Sequence, residues 1–230
     1  MTNEKHSKAP LAVVLLSGGM DSCVAAAIAR QTHRLAMLHA SYGQRTEARE
    51  RRAFDEIAAF WEVEDKLVVR LDHLAAIGGS SLTDRSVPVP QGLDPNRGVP
   101  NTYVPFRNTH LLSVAVSWAE VLGAPMLVIG AVHEDSSGYP DTRPAYYQKF
   151  RELVREGTRP GTHIEIRTPV IELSKAEIIR QGIALRAPLH LTWSCYQNEE
   201  KACGGCESCL LRLRAFAEAG QLDPIPYQMP

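Results

Sequence analysis

LLSGGMDSCVA, residues 15–25, leaves an apolar segment, passes two glycines, an acid and a serine, and enters small residues suited to a helix. It is neither the nucleotide loop G-x-x-x-x-G-K-[ST] nor the dinucleotide fingerprint G-x-G-x-x-G. In an open parallel sheet, ligands sit beyond the carboxyl ends of the strands, where a helix N-terminus offers unpaired N–H groups and a partial positive charge. Ser17 to Ser22 is placed for such an anion: Gly18 and Gly19 allow φ > 0 and close backbone approach, and Ser17 and Ser22 add hydroxyl donors. Asp21 is expected to cap the helix. The same residues also suit a tight strand–helix turn whose glycines supply geometry alone. The order strand, S-G-G-x-D-S, helix favours the phosphate site.

Outward from this stretch, short runs rich in Val, Leu and Ile alternate with segments of helical period, the pattern of βαβ units. Strands are expected at residues 11–16, 34–40, 66–71, 125–132 and 164–170, and helices at 21–30, 46–61, 108–122, 145–156 and 174–186. The fold class is α/β, a doubly wound, mostly parallel sheet of about five strands with a small C-terminal extension. Two stretches break the rhythm. Residues 78–106 hold five prolines and four glycines, and a loop this long in a compact domain is usually functional or disordered. The other is the tail from Pro188. The domain plan is a disordered tail at 1–10, a nucleotide domain at 11–187 and a C-terminal metal region at 188–230.

The 230 residues suffice for one substantial domain with a core, but are short for two. A formal net charge of −1 gives no hint of a nucleic-acid surface or membrane anchor and favours small-molecule substrates. The first apolar run is far shorter than the ~18 residues of a membrane span, so a soluble, cytoplasmic protein without a membrane partner is expected.

Four of the five cysteines, Cys195, Cys203, Cys206 and Cys209, are spaced C-x7-C-x2-C-x2-C. Four close thiolates suit tetrahedral Zn²⁺, one structural ion per chain with no ligand position open. An iron–sulfur cluster and a C-x-x-C redox pair are the alternatives. The following LLRLRAFAEAG has the composition of a short helix. Cys23, among small residues, reads as a core filler.

Other polar clusters fall at sheet ends: SYGQR (41–45), NTYVPFRNTH (101–110) and HEDSSGYPDTRPAYY (133–147). Asp135, Asp141 and Arg143 could hold Mg²⁺, a purine-like edge or a substrate carboxylate, or could simply be a solvated loop. Ser174 with Glu177 reads as a capping box. Lys175 opposes the dipole of the helix it opens, so a bound anion is its natural compensation, with a solvated lysine as the alternative. The apolar PIPYQMP at the C-terminus could be contact surface.

SGGMDS resembles the pyrophosphate loop of the adenine-nucleotide α-hydrolase superfamily, which implies a grip on the β- and γ-phosphates, an α-phosphate open to attack, and AMP and pyrophosphate as products. YGQR, VPFRN, SGYPD-x-R, LSKAEI and WSCY with the cysteine cluster together resemble the 7-cyano-7-deazaguanine synthase family, from about residue 11 to about 216. That family often shows VPGRN and SGYPDCR where this chain has Phe106 and Thr142. Phe106 raises a question of loop geometry; Thr142 argues that no thiol is needed there.

The resemblance implies conversion of 7-carboxy-7-deazaguanine and ammonia to the nitrile through two adenylations, with Mg²⁺ accompanying ATP. It implies ATP contacts from Leu16, Ser17, Gly18, Gly19, Met20, Asp21, Ser22, Cys23 and Val24, with Met20 and Cys23 contributing backbone alone. Gln44, Arg45, Arg107, Asn108, Asp135 and Asp141 would bind substrate, and Lys175 and Arg143 would be catalytic. It also implies a homodimer, and the near-neutral charge leads us to expect no nucleic-acid partner. Two other classes compete. A tRNA thiolation enzyme would need a reactive cysteine and a basic face, which the near-neutral composition disfavours. A non-enzymatic zinc module would leave the loop at Ser17 unexplained.

Overall fold

A computed structural model of the protein describes residues 9–93, 98–133 and 138–228. Residues 1–8, most of the expected disordered tail, and the candidate Asp135 lie outside the described residues. Five strands, β1 (Leu11–Leu15), β2 (Arg34–Ser41), β3 (Lys66–Arg70), β4 (Met126–Ile129) and β5 (Glu165–Arg167), form one parallel sheet in the order β3-β2-β1-β4-β5. The helices are α1 (Met20–Ala29), α2 (Glu47–Phe60), α3 (His73–Ile77), α4 (Arg107–Leu122), α5 (Pro144–Gly157), α6 (Lys175–Ala184) and α7 (Glu207–Glu218).

β1 is buried on both faces, which is why its sequence is a continuous apolar run rather than an alternation. Ala12 and Val14 face α1, α2, α6 and α7; Val13 and Leu15 face α4 and α5. At the sheet edges, β3 carries exposed Lys66 and Arg70 at its ends, and β5 buries only Ile166. Short, charge-flanked edges discourage pairing with another chain. The expected fourth strand is shorter than read because Gly130, Ala131 and Val132 leave the ladder to line the ligand end, and the expected fifth pairs only over Glu165–Arg167. α3 was not anticipated; its single buried side chain, Leu74, gives almost no periodicity to read.

α1 crosses α6 closely because Gly182 faces Val24: a Cβ there would stand 2.8 Å from the Val24 Cγ2. The long 78–106 stretch is tied down where described. The Arg45 guanidinium donates to the carbonyls of Ser81 (2.6 Å), Asp84 (3.0 Å) and Val87 (2.7 Å), and Leu82, Val89 and Val104 are buried. The described part of the C-terminal segment is anchored at two side chains. Ile225 and Tyr227 pack onto the cysteine cluster, and Tyr227 bridges to Ala202. Among the described residues, no helix is long and apolar enough to cross a membrane.

Candidate active site

β1 lies where the strand order reverses, between β2 and β4, so the loop after it opens at the switch point where open α/β sheets bind ligands. Gly18 has φ +89°, and a Cβ on it would meet the Glu50 carbonyl oxygen at 2.6 Å, so glycine is required to seat the loop against α2. A Cβ on Gly130, just past β4, would meet the Ser22 N and Cα at 2.6 Å. That closeness brings the start of α1 to the end of β4.

Gly19, not Asp21, is the N-cap of α1, and no side chain caps it. Asp21 sits one residue inside the first turn, and its carboxylate turns to the Lys175 Nζ at 2.5 Å. Thus the charge that offsets Lys175 at the start of α6 is a carboxylate of this chain. Among the described residues, the Asp21 Oδ1 is buried without a hydrogen-bond partner. The serine hydroxyls shape the loop: the Gly19 N–H donates to the Ser17 Oγ (3.2 Å) and the Ser22 hydroxyl to the Gly19 carbonyl (2.9 Å). The uncapped first turn leaves N–H groups and the helix dipole facing outward, the arrangement that binds phosphate.

These N–H groups face a cavity of about 310 Å³, within the range of small-ligand sites. Leu16, Ser17, Gly19, Met20, Asp21 and Ser22 line it, whereas Gly18 is turned to α2 and Cys23 and Val24 are wholly buried in the core. Burial pushes the Cys23 thiol up to about 12, as expected of a small core residue and not a reactive thiol.

Lys175, Gln44, Arg45, Arg107 and Asn108 also reach the cavity. Arg107 donates to the Tyr42 hydroxyl at 2.8 Å, with its guanidinium over the Tyr42 and Tyr139 rings. Burial opposes its charge, but Tyr42, Tyr139 and Asp141 more than offset that and hold its pKa above the ordinary range. Burial pushes Tyr42 up to about 12.

Asn108 and Asp141 are bound to each other. The Asp141 Oδ2 accepts the Asn108 backbone N–H (2.9 Å), and the Asn108 Nδ2 donates to the Asp141 carbonyl (3.0 Å). The reason is local. The N-cap of α4 is Phe106, which offers no acceptor, so a carboxylate from elsewhere satisfies the first turn. Asp141 is buried and is not brought to the cavity wall; Arg143 is exposed at the N-cap of α5, also away from it. Phe106 itself is left-handed at φ +59°, ψ +20°, a conformation that costs a bulky residue and suits glycine. Its ring is 57% exposed, with an edge contact to His110. The Thr142 hydroxyl donates to the Tyr139 carbonyl at 2.8 Å, work that needs no sulfur.

Several lining residues escaped sequence reasoning: Tyr42, Thr46, Glu50, Trp193, Tyr196 and Arg212. Glu50 reads as one of many charges along an amphipathic helix, and Arg212 as part of a short helix; Tyr42, Trp193 and Tyr196 lie inside the motifs YGQR and WSCY, which do not single them out. The Trp193 N–H donates to the Gly18 carbonyl (2.9 Å), joining the cysteine region to the phosphate loop. Arg212 is buried, with its fork on Asp223 at 2.7 and 3.0 Å and further bonds to the Thr192 hydroxyl and the Leu189 carbonyl.

The sulfurs of Cys195, Cys203, Cys206 and Cys209 all lie within 4.8 Å of one another and could hold a metal ion. Backbone N–H groups of Gln197, Asn198 and Cys203 point at the Cys195 sulfur. Hydrogen bonds from the Cys206 and Cys209 thiols, helped by the Cys203 and Gln197 N–H groups, outweigh burial, which acts the other way, and hold Cys195 well below the usual thiol range.

A family model described as "Queuosine biosynthesis protein QueC" matches residues 11–220. The curated 7-cyano-7-deazaguanine synthase of Chloroherpeton thalassium is 55% identical over 219 residues, 95% of this chain and 97% of that one. The protein of the same name from Acidobacterium capsulatum is 56% identical over 220 residues, 94% of this chain and 96% of that one. Among solved structures, the U34-tRNA thiolase NcsA of Methanococcus maripaludis aligns with 81% of this chain and 60% of its own at 13% identity and a TM-score of 0.45, a likeness that carries no argument.

Proposed function

Because the chain belongs to the QueC family of queuosine biosynthesis proteins, we propose that it converts 7-carboxy-7-deazaguanine and ammonia to 7-cyano-7-deazaguanine at the expense of ATP. The observation that carries this reading is the uncapped N-terminus of α1 opening into the same cavity as Lys175 and Arg107. The backbone N–H groups of the Ser17–Ser22 loop hold the terminal phosphates of ATP. Lys175 leaves Asp21 for phosphate oxygen and offsets the charge that develops as pyrophosphate departs. No lysine in the loop itself is needed, since the α-phosphate and not the γ-phosphate is attacked.

Arg107 donates to the Tyr42 hydroxyl through one arm of its guanidinium and has a fork geometry suited to a carboxylate, so it holds the 7-carboxylate against the α-phosphate. Its oxygen attacks phosphorus to give an acyl-adenylate and pyrophosphate. Ammonia displaces AMP to give the amide, and a second adenylation of the amide oxygen allows loss of AMP to the nitrile. Gln44 and Arg45 act by shaping this wall. Mg²⁺ bound with ATP supplies charge neutralisation, and the partnerless, buried Asp21 Oδ1 is the acceptor at the loop that would hold it.

The four thiolates hold zinc. Tetrahedral Zn–S bonds of about 2.3 Å put sulfurs about 3.8 Å apart, and the Cys203 and Cys209 sulfurs are 3.9 Å apart. A polynuclear iron–sulfur cluster spreads its cysteines further. Zinc with no open position is structural and keeps Trp193 against the phosphate loop. The substrates are small molecules, the protein works in the cytoplasm as a homodimer, and nucleic acid is not a partner.

The test is to incubate the purified protein with 7-carboxy-7-deazaguanine, ammonium and MgATP, following pyrophosphate release and product mass. Acid-dependent pyrophosphate and a nitrile mass are expected; ATP untouched in the presence of the acid overturns the reading.

A further inference from the structure

One cavity carboxylate has no part in the adenylation steps above. Asp21, Glu50 and Glu207 line the cavity among the described residues. Asp21 is engaged with Lys175, and Glu207 follows Cys206 directly in the metal region. Glu50 is different. It lies on the inner side of α2, and its two oxygens are fixed separately: the Gln44 Nε2 donates to Oε2 at 3.1 Å and the Thr46 hydroxyl to Oε1 at 2.9 Å. Gln44 is in turn held by the Tyr42 N–H on its amide oxygen (2.8 Å), and the Thr46 hydroxyl also lies 3.3 Å from the Cys195 carbonyl.

A carboxylate accepts about four hydrogen bonds, so each Glu50 oxygen keeps acceptor capacity toward the cavity. Burial raises its pKa, against the two hydrogen bonds and the Arg107 charge; Glu47 on the same helix and the Tyr42 hydroxyl are the other titratable groups acting with it. A fixed carboxylate, open on the cavity side and near the guanidinium assigned to the substrate acid, is a site for a small cation with several N–H donors.

The chemistry of the reaction supplies that cation. Ammonia in neutral water is almost entirely ammonium, which has no lone pair with which to attack carbon. We propose that Glu50 binds ammonium in the cavity and accepts its proton as the nitrogen attacks the acyl-adenylate. One N–H proton passes to the Glu50 carboxylate. The freed lone pair forms the C–N bond, the C–O bond to AMP breaks with its electron pair leaving on the phosphate oxygen, and a second N–H proton goes to solvent, giving the amide. This inference rests on the synthase reading above.

The test uses the full-length, metal-loaded protein and its Glu50→Gln variant, which keeps the size and an acceptor for Gln44 but cannot take the proton. Acid-dependent exchange of labelled pyrophosphate into ATP, without ammonium, reads adenylation alone. It should stay within about twofold of wild type, while amide formation from ammonium falls roughly 100-fold or more, the usual worth of a positioned base. Hydroxylamine, mostly neutral at pH 7, needs no such acceptor, and hydroxamate formation should be retained by the variant. An unchanged ammonium dependence overturns the proposal. So does a parallel fall in exchange, which would put Glu50 on the ATP or acid side. Absence of exchange in the wild-type protein overturns the synthase reading itself, and this inference with it.

Discussion

Replacing Asp223 with Ala removes the counter-charge of a guanidinium that is almost wholly out of water. The Arg212 and Asp223 side chains are 1% and 2% exposed, and the pair is bidentate at 2.7 and 3.0 Å. The Tyr227 hydroxyl also donates to Asp223, at 2.7 Å. After truncation the acceptors left to Arg212 among the described residues are neutral, the Thr192 and Ser194 hydroxyls and the Leu189 carbonyl. Breaking a buried pair in this way costs about 3–5 kcal/mol. At roughly 2–4 °C per kcal/mol for a chain of this size, the melting temperature should fall by roughly 6–20 °C. Asp223→Asn keeps the shape and one acceptor and should cost about 1.5–3 kcal/mol, the worth of a charged hydrogen bond. The double variant Arg212→Met, Asp223→Leu buries no charge and should recover most of the loss. Urea unfolding of metal-loaded protein, with the slope compared between variants, measures all three. An Asp223→Ala cost below about 1 kcal/mol, or a double variant less stable than Asp223→Ala, would refute the view that desolvated charge dominates here.

Gly130→Ala forces a Cβ to within 2.6 Å of the Ser22 backbone, so the loop must shift; the expected cost is about 1–3 kcal/mol, with loss of the thermal stabilisation that ATP gives the wild type. Chelation of the metal should raise hydrogen exchange across residues 193–209 and alter Trp193 fluorescence, because the indole N–H is bonded to the Asn198 carbonyl inside the cluster; β1 and β4 should keep their protection. His39 is buried, with Nδ1 on the Leu16 carbonyl and Nε2 unpartnered among the described residues, and burial lowers its pKa. The unfolded chain therefore binds its proton first, so stability should be full above about pH 6.5 and decline as pH falls below it. His39→Asn should flatten part of that decline in urea titrations at pH 5 and 7.5; an unchanged slope would remove His39 as its source.

The parallel sheet was legible because its central strands are buried on both faces and read as apolar runs, and because SGGMDS sits directly after the first of them. The four cysteines were legible from spacing alone, since close thiolates have few other uses. The end of β4 was not, because apolar Ala131 and Val132 continue past the last ladder pair into the ligand wall. Nor could the sequence separate the two uses of a carboxylate at a helix start. Asp21 looked like a cap and instead meets Lys175, 154 positions away; Asp141 looked like a ligand and instead caps α4.

By itself, the sequence determined what is local: the strand–glycine–helix order, the metal-ligand spacing, the Ser174–Glu177 capping box and the family resemblance carried by short motifs. Each follows from interactions between residues a few positions apart. Tertiary structure alone decided which polar groups share the cavity. Glu50 faces it because Gly18 lets α2 approach the phosphate loop, Arg107 because Tyr42 and Tyr139 flank it, and Trp193 because the tail folds back over the start of α1. Whether a charged side chain is solvated or held in a site depends on what packs against it, and those neighbours come from distant parts of the chain.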